Sequence, residues 1–385
     1  VRILRILPGL LLIPVVGAGC TQTAPASPVV VSTHASAPVT SFTVVAAGDL
    51  LVHEALTEQA ATDARAAGEP GQDFTQVLAA VKPIGSSADL AMCHMEQPLA
   101  KPTGPFTGWP YFSAPPQLAD AAAAVGFDTC STASNHSLDT GEEGIARTLA
   151  DLDRVHIRHA GTARTEAEAA TPNIIDVRGV KVAHLSYTFS FNGIQRPAGR
   201  PWVANMLDPD AIIAEARRAR KQGAEVVLVS LHWGTEYQHE PNDDQLNLAK
   251  RLLAAPEIDL IIGHHVHVVQ PFEKLGDKWV AYGLGNLTAR FDDGSSEDLQ
   301  DAVIPRFTFT RTVPGRWRVT KVEVVPTWME YHPKARVVDL SAALAAPGLD
   351  VERRATYRRA YDRITRWVTS RGARSAGLTV SSVGP

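Results

Sequence analysis

Between Asp259 and Pro271 the chain reads Asp-Leu-Ile-Ile-Gly-His-His-Val-His-Val-Val-Gln-Pro. An apolar run of strand length stops at Gly263 and is followed at once by His264, His265 and His267. Imidazoles delivered directly after a buried strand belong at the carboxyl end of a sheet, where α/β enzymes gather their polar groups. On an extended backbone His265 and His267, two residues apart, share a face and suit one metal centre or two adjacent ones.

The same pattern recurs along the chain. Ser41 to Ala47 is strand-like and ends in Gly48-Asp49, with His53 four residues later. Asp89 to His94 leads to Glu96 and is stopped by Pro98, and Phe127 to Thr132 leads to Asn135-His136. Glu225 to Leu231 leads to His232 and Glu236, and Trp279 to Tyr282 leads to Gly283-Leu284-Gly285-Asn286. Each polar terminus has an ordinary reading by itself: Asp49 as a turn residue or helix N-cap, His53 as a ligand, a supporting group or an exposed side chain. A buried carboxylate is costly unless it is paired or metal-bound, so the recurrence points to one shared site.

Helical patterns separate these runs. Residues 54 to 82 read as helix with a loop around Gly68 to Gly71. Gln117 to Val125 is closed by Gly126, and the helix after Gly141 lines up Ile145, Leu149, Leu152 and Val155. Asp210 to Gly223 and Asp243 to Ala255 follow. Hairpins are expected for Ile174–Val177 with Val180–Tyr187 across Arg178-Gly179, and for Val303–Thr310 with Trp317–Val325 across Pro314-Gly315. Strands alternating with helices define an α/β architecture. In the loop from 188 to 205, Arg196 and Arg200 read as solvated, with contact to an anionic substrate as the functional alternative.

The net charge of −4 carries no nucleic-acid signal. Three cysteines are too few for a disulfide framework. Cys93 and Cys130 fall within predicted strands and read as buried free thiols. At the N-terminus, Arg2 and Arg5, an apolar run from Ile6 to Val16 and Gly17-Ala18-Gly19 before Cys20 read as a signal peptide over residues 1–20. We expect the lipoprotein type, with Cys20 lipidated and the protein anchored outside the cytoplasm; plain secretion is the alternative. Residues 21–40 are rich in Pro, Ser, Thr, Ala and Val and read as a tether. The main domain is expected over 41–330. A C-terminal extension over 331–385 carries a basic helix, Val351 to Thr369, with Tyr357, Tyr361, Ile364 and Val368 on one face. That helix reads as docked, its basic side solvated; contact with anionic lipid or polymer is the alternative.

Collected, Asp49, Glu96, Asn135, His136, His232, His265 and His267 offer carboxylates, imidazoles and an amide oxygen, a set suited to Mn, Zn or Fe. Two divalent cations clamped there would activate a water and hold a phosphate-like group, while an unligated His protonates the leaving oxygen. The order Gly48-Asp49, Met95-Glu96-Gln97-Pro98-Leu99, Asn135-His136-Ser137-Leu138-Asp139, His232-Trp233-Gly234-Thr235-Glu236-Tyr237, Gly263-His264-His265-Val266-His267 and Tyr282-Gly283-Leu284-Gly285-Asn286 resembles the CapA family of poly-γ-glutamate capsule synthesis proteins. That family is a branch of the calcineurin-like metallophosphoesterases.

The resemblance covers Phe42 to Pro326 and implies a metallophosphatase-like sandwich, two central β-sheets flanked by helices in four αββα layers. It implies that Asp49 and His267 hold one metal, that Asn135, His232 and His265 hold the other, and that Glu96 stands where the superfamily has a bridging Asp. His136 would be the general acid with Asp139 behind it. Leu51 stands where the superfamily has a His two residues after the Asp, so His53 is a candidate substitute. His94 stands where the capsule family has Asn. Glu236 and His264 are candidate ligands or supporting groups. The activity implied is metal-dependent hydrolysis of a phosphoester, with an anionic polymer or phosphoester as substrate and a polymer synthase or export complex as partner. A non-catalytic accessory in anionic-polymer synthesis or export is the alternative, and a binding protein with a vestigial site a third.

Overall fold

The computed structural model describes residues 39–383 except 292–293 and 314–315, together with Pro14 and Gly17. The expected leader with Cys20, and the tether as far as Pro38, lie outside the described residues apart from Pro14 and Gly17. So does the turn at Pro314-Gly315. No described helix is long and apolar enough to cross a membrane.

The strands in chain order are β1 (Ser41–Leu50), β2 (Leu90–Met95), β3 (Thr129–Ser131), β4 (Arg158–Ala160), β5 (Asn173–Val177), β6 (Val180–Thr188), β7 (Val226–His232), β8 (Leu260–His264), β9 (Phe272–Leu275), β10 (Lys278–Ala281), β11 (Asn286–Thr288), β12 (Asp301–Val313), β13 (Arg316–Glu330), β14 (Arg336–Asp339) and β15 (Leu378–Val380). They form two sheets. A nine-stranded sheet runs β14-β13-β12-β1-β2-β3-β4, with β11 beside β1 and β15 beside β13, and a six-stranded sheet runs β5-β6-β7-β8-β10-β9.

The side-chain alternation along the central strands shows why the sheets stack. On β1, Phe42, Val44 and Ala46 join one apolar cluster while Val45 and Ala47 join another. On β7, Val226 and Leu228 point into the first of these while Val227, Val229 and Leu231 point the other way. The shared cluster, with Leu260 and Ile262 of β8, fills the space between the sheets. The outer face of the large sheet is covered by the helices Glu54–Ala67, Gln117–Val125 and Gly141–Arg154, and that of the small sheet by Pro209–Lys221 and Asp243–Ala254. This is the four-layer αββα order. Strands apolar on both faces need both faces covered, and each fully buried Val, Leu or Ile contributes about 1.5–3 kcal/mol.

The C-terminal segment belongs to the same compact unit, which runs from Val39 onward. Strand β15 pairs with β13, and Tyr357, Ile364 and Val368 of the helix Val351–Thr369 enter the inter-sheet cluster. Much of the basic face is spent on docking: Arg363 pairs with buried Asp301, Arg353 with Glu330, Arg359 with Glu297, and Arg354 donates to the Leu344 carbonyl. Strand β9, which pairs with β10, is an addition to the sequence reading. Residues 68–78 are not helical, the first helix ending on Gly68 in the left-handed region.

Candidate metal centre

Strand β1 carries Asp49 to the site because the chain narrows at Gly48. A Cβ on Gly48 would overlap the Gly285 carbonyl oxygen, which accepts the Asp49 N–H at 2.9 Å. Asp49 stands opposite His94 of β2 on one side and Asn286 of β11 on the other. The parallel strands β1, β2, β3, β7 and β8 thus bring their carboxyl ends together, where Asp49, Glu96, Asn135, His136, His232 and the histidine run meet.

The histidine run departs from the extended reading. Strand β8 stops at His264, and His265 and His267 take positive φ values of 90° and 59°. Non-glycine residues in this region are strained and cluster at functional sites. The turn inclines the two rings at 56°, with their centroids 6.0 Å apart. His265 lies against His232, centroids 4.6 Å apart, while His267 Nδ1 is 3.5 Å from Asp49 Oδ2.

Two donor sets result. One holds Asp49 and His267. The other holds His232, its Nε2 2.8 Å from Asn135 Oδ1, and His265. Two ligand atoms on one cation stand roughly 3 Å apart when each bond is about 2.1 Å. Glu96 lies between the sets, its Oε1 3.7 Å from His267 Nε2 and 3.9 Å from His232 Nε2. Both Glu96 carboxyl oxygens are buried without a hydrogen-bond partner, and so is His265 Nδ1. A buried acceptor left this way is costly unless a cation completes it, so the residues fit divalent metal.

Electrostatics agree. Burial pushes the Asp49 carboxyl up, but hydrogen bonds from His264 and His267 outweigh it and hold Asp49 well below the carboxylate range. Burial pushes the Glu96 carboxyl well up. Burial pulls His265 down to about 3 and His232 well below its usual value. His267 is the exception: burial pulls it down, but the Glu96 and Asp49 carboxylates raise it to about 9. Neutral imidazoles ligate cations, and a bound cation would restore the Glu96 carboxylate.

The remaining residues singled out from sequence take distinct places. His136 Nδ1 is 2.7 Å from Asp139 Oδ2, which also accepts the Phe112 N–H at 2.8 Å. His264 contacts Asp49 Oδ1 through Nδ1 at 3.1 Å, so it orients that carboxylate. Glu236 comes close enough to His265 and His267 for the three to hold a metal ion. His53 has its ring 5.3 Å from Phe112 and 5.0 Å from Phe291, its Nδ1 accepts the Arg290 N–H, and burial, with the nearby His267 and His136, pulls it down to about 4. Arg200 pairs with Glu142, and Arg196 donates to the Pro201 carbonyl; neither reaches the centre.

Two supporting residues carry roles that sequence reasoning did not assign. His94 is fully buried, and its Nε2 is 3.0 Å from His232 Nδ1 while its Nδ1 is 2.7 Å from Ser131 Oγ. For His232 Nε2 to offer its lone pair to a cation, Nδ1 must carry the proton, and His94 Nε2 is placed to accept it. The His94 ring also stacks on His264 at 4.1 Å. Asn286 Oδ1 is 2.9 Å from His267 Nδ1, and its amide donates to the His267 carbonyl, which turns His267 Nε2 toward Glu96. The His94 departure was visible in the sequence; its partners were not.

The cysteines correct the sequence reading. Cys93 and Cys130 are joined in a disulfide rather than being free thiols. They are direct register partners on the adjacent parallel strands β2 and β3, with Cα atoms 4.4 Å apart. A spacing of 37 residues hides such a pair until the strands are aligned.

Residues 43–290 match the family described as bacterial capsule synthesis protein PGA_cap. The chain is 31% identical over 202 residues to the PGA biosynthesis protein CapA of Bacillus subtilis (strain 168), covering 52% of this chain and 52% of that protein. It is 30% identical over 198 residues to the capsule biosynthesis protein CapA of Bacillus anthracis, covering 50% of this chain and 47% of that protein. It therefore spans about half the length of these curated relatives. Among solved structures it is similar to the calcineurin-like phosphoesterase YfkN from Bacillus subtilis, with a TM-score of 0.46 and 12% identity, covering 86% of this chain and 98% of that one.

Proposed function

Since the chain belongs to the PGA_cap family of bacterial capsule synthesis proteins, we propose that it is a two-metal phosphoester hydrolase serving surface-polymer synthesis outside the cytoplasm. The observation that carries this reading is Glu96, a buried carboxylate with both oxygens unpartnered between two sets of ligand atoms. Asp49 and His267 would hold one cation, Asn135, His232 and His265 the other, with Glu96 between. When bound, the pair would supply Lewis-acid polarisation and lower the pKa of a water.

The chain's own residues do the rest. His264 and Asn286 orient Asp49 and His267, and His94 orients His232. Asp139 engages His136 Nδ1 and so leaves Nε2 to hold the proton that a leaving oxygen takes. Phe112 packs edge-on to the His136 ring at 4.7 Å, and its N–H donates to Asp139. The Cys93–Cys130 disulfide supports an oxidising compartment, in keeping with the lipoprotein leader read from the sequence. A Cys20→Ser variant should then move from the membrane fraction to the soluble one; unchanged partitioning would sink the anchor.

Hydrolysis is tested by loading the purified protein with Mn or Zn, counting bound metal and assaying phosphomonoesters and phosphodiesters. We expect two ions per chain, and a His136→Ala variant that keeps its metal but loses about 10²–10⁴ in kcat. If His136→Ala leaves polymer output in cells undiminished, the protein acts there as a non-catalytic accessory. If chelators do not affect ligand binding, the site is vestigial.

A further inference from the structure

Four aromatic side chains are exposed among the described residues, Trp109, Tyr111, Phe189 and Tyr237, and two of them, Phe189 and Tyr237, stand beside the metal centre. Phe189 lies 4.6 Å from the His265 ring and Tyr237 6.0 Å from the His267 ring, centroid to centroid. Tyr111 precedes Phe112, which packs on His136 and His53. Trp109, 79% exposed, shares a 640 Å³ cleft with Tyr237, Phe291 and His53.

Exposing these faces does nothing for the core. An aromatic surface held open beside a site is typical of a binding surface. Tyr237 is held there at some expense: its φ is 64°, in the left-handed region that a bulky residue avoids, and its N–H is tied to the Val266 carbonyl at 2.8 Å.

The polar groups of the cleft narrow the ligand. Glu54 and Glu58 line it, against one cation, Arg290, whose guanidinium lies over the Tyr331 ring at 5.6 Å. Glu236, beside His265 and His267, belongs to the neighbouring metal centre rather than to the cleft lining. A polyanion threaded through this cleft would meet net repulsion. A pyranose suits it: the C–H face of the sugar lies flat on an aromatic ring, and its hydroxyls donate to carboxylates. Tyr237 and Phe291 meet edge-on at 84°, so these two rings do not form a parallel base sandwich.

We propose that this aromatic- and carboxylate-lined cleft binds the neutral sugar of a glycosyl phosphoester, placing the phosphate at the metal centre. The proposal rests on the phosphoesterase reading for the phosphate, but not for the sugar. The sugar is therefore tested separately, by saturation-transfer NMR of the full chain without metal against neutral gluco-oligosaccharides and against poly-γ-glutamate. Oligosaccharide signals that vanish in Trp109→Ala and Tyr237→Ala support it. Preferential binding of poly-γ-glutamate, or oligosaccharide signals unchanged in both variants, overturns it.

With the metal-loaded protein, the two variants should raise KM for glucose 1-phosphate about tenfold more than KM for glycerol phosphate. A larger change for thymidine 5′-phosphate than for glucose 1-phosphate would make the cleft a base platform and overturn the assignment. Absence of phosphate release from every substrate would remove the hydrolase reading and leave the sugar site to be decided by the NMR result.

Discussion

At the residue scale, the centre is built in two shells, and the inner one depends on the outer for the direction of its lone pairs. A buried imidazole can ligate only through the nitrogen that its other contact leaves free, so His94 decides what His232 can do. His94→Leu keeps the volume but removes the acceptor. We expect metal affinity to fall about 10–100-fold, read by titration calorimetry or by metal retained after dialysis. His94→Asn should recover part of the loss, because its amide oxygen can accept the same proton. Equal affinity in all three proteins would show that His94 only fills space.

At the element scale, the helix Val351–Thr369 is held by its basic side as well as its apolar one. Asp301 is 1% exposed, and burial raises its pKa to about 7 despite the Arg363 fork beside it. Arg363→Ala strands that carboxylate and should destabilise the fold by about 3–5 kcal/mol in denaturant unfolding at neutral pH. Adding Asp301→Asn should restore most of that stability. If Arg363→Ala alone is neutral, the pair is not what fastens the helix. The hydrophobic face of this helix was legible because its 3.6-residue period is a local property. The Arg363 pair was not, because its acidic partner, Asp301, lies 62 residues away on β12.

At the scale of the whole molecule, the packing of one sheet on the other makes the protein acid-sensitive. His184 of β6 is fully buried, with Nδ1 3.0 Å from Thr129 Oγ1 of β3 and Nε2 3.0 Å from Ser230 Oγ of β7, and burial lowers its pKa to about 3. The folded state thus keeps this ring neutral, while the unfolded chain protonates it near pH 6.5. Its contribution is intact above that pH and shrinks by about 1.4 kcal/mol per unit as pH falls toward 3. A His184→Gln variant should show a flatter decline of stability between pH 6 and 4 in thermal or urea unfolding. A decline as steep as in the wild type would place the acid sensitivity elsewhere.

What the sequence determined by itself is local: the run lengths and alternation that make strands, the amphipathic helices between them, and the polar residue that closes each strand. Those suffice for an α/β architecture with Asp49, Glu96, Asn135, His136, His232, His265 and His267 at strand ends; the two-sheet sandwich was implied by the family resemblance. Tertiary structure alone decided which atoms face one another. It bent His265 and His267 out of the strand into left-handed backbone, which inclines their rings at 56° to each other. It set Cys93 opposite Cys130, joined them and packed His53 against Phe112 and Phe291. It also placed Glu96 without a partner between two sets of imidazoles. The physical reason is range: backbone preference and burial pattern act between near neighbours in the chain, whereas ligand geometry is set by sheet register and by packing between residues as far apart as Asp49 and His264.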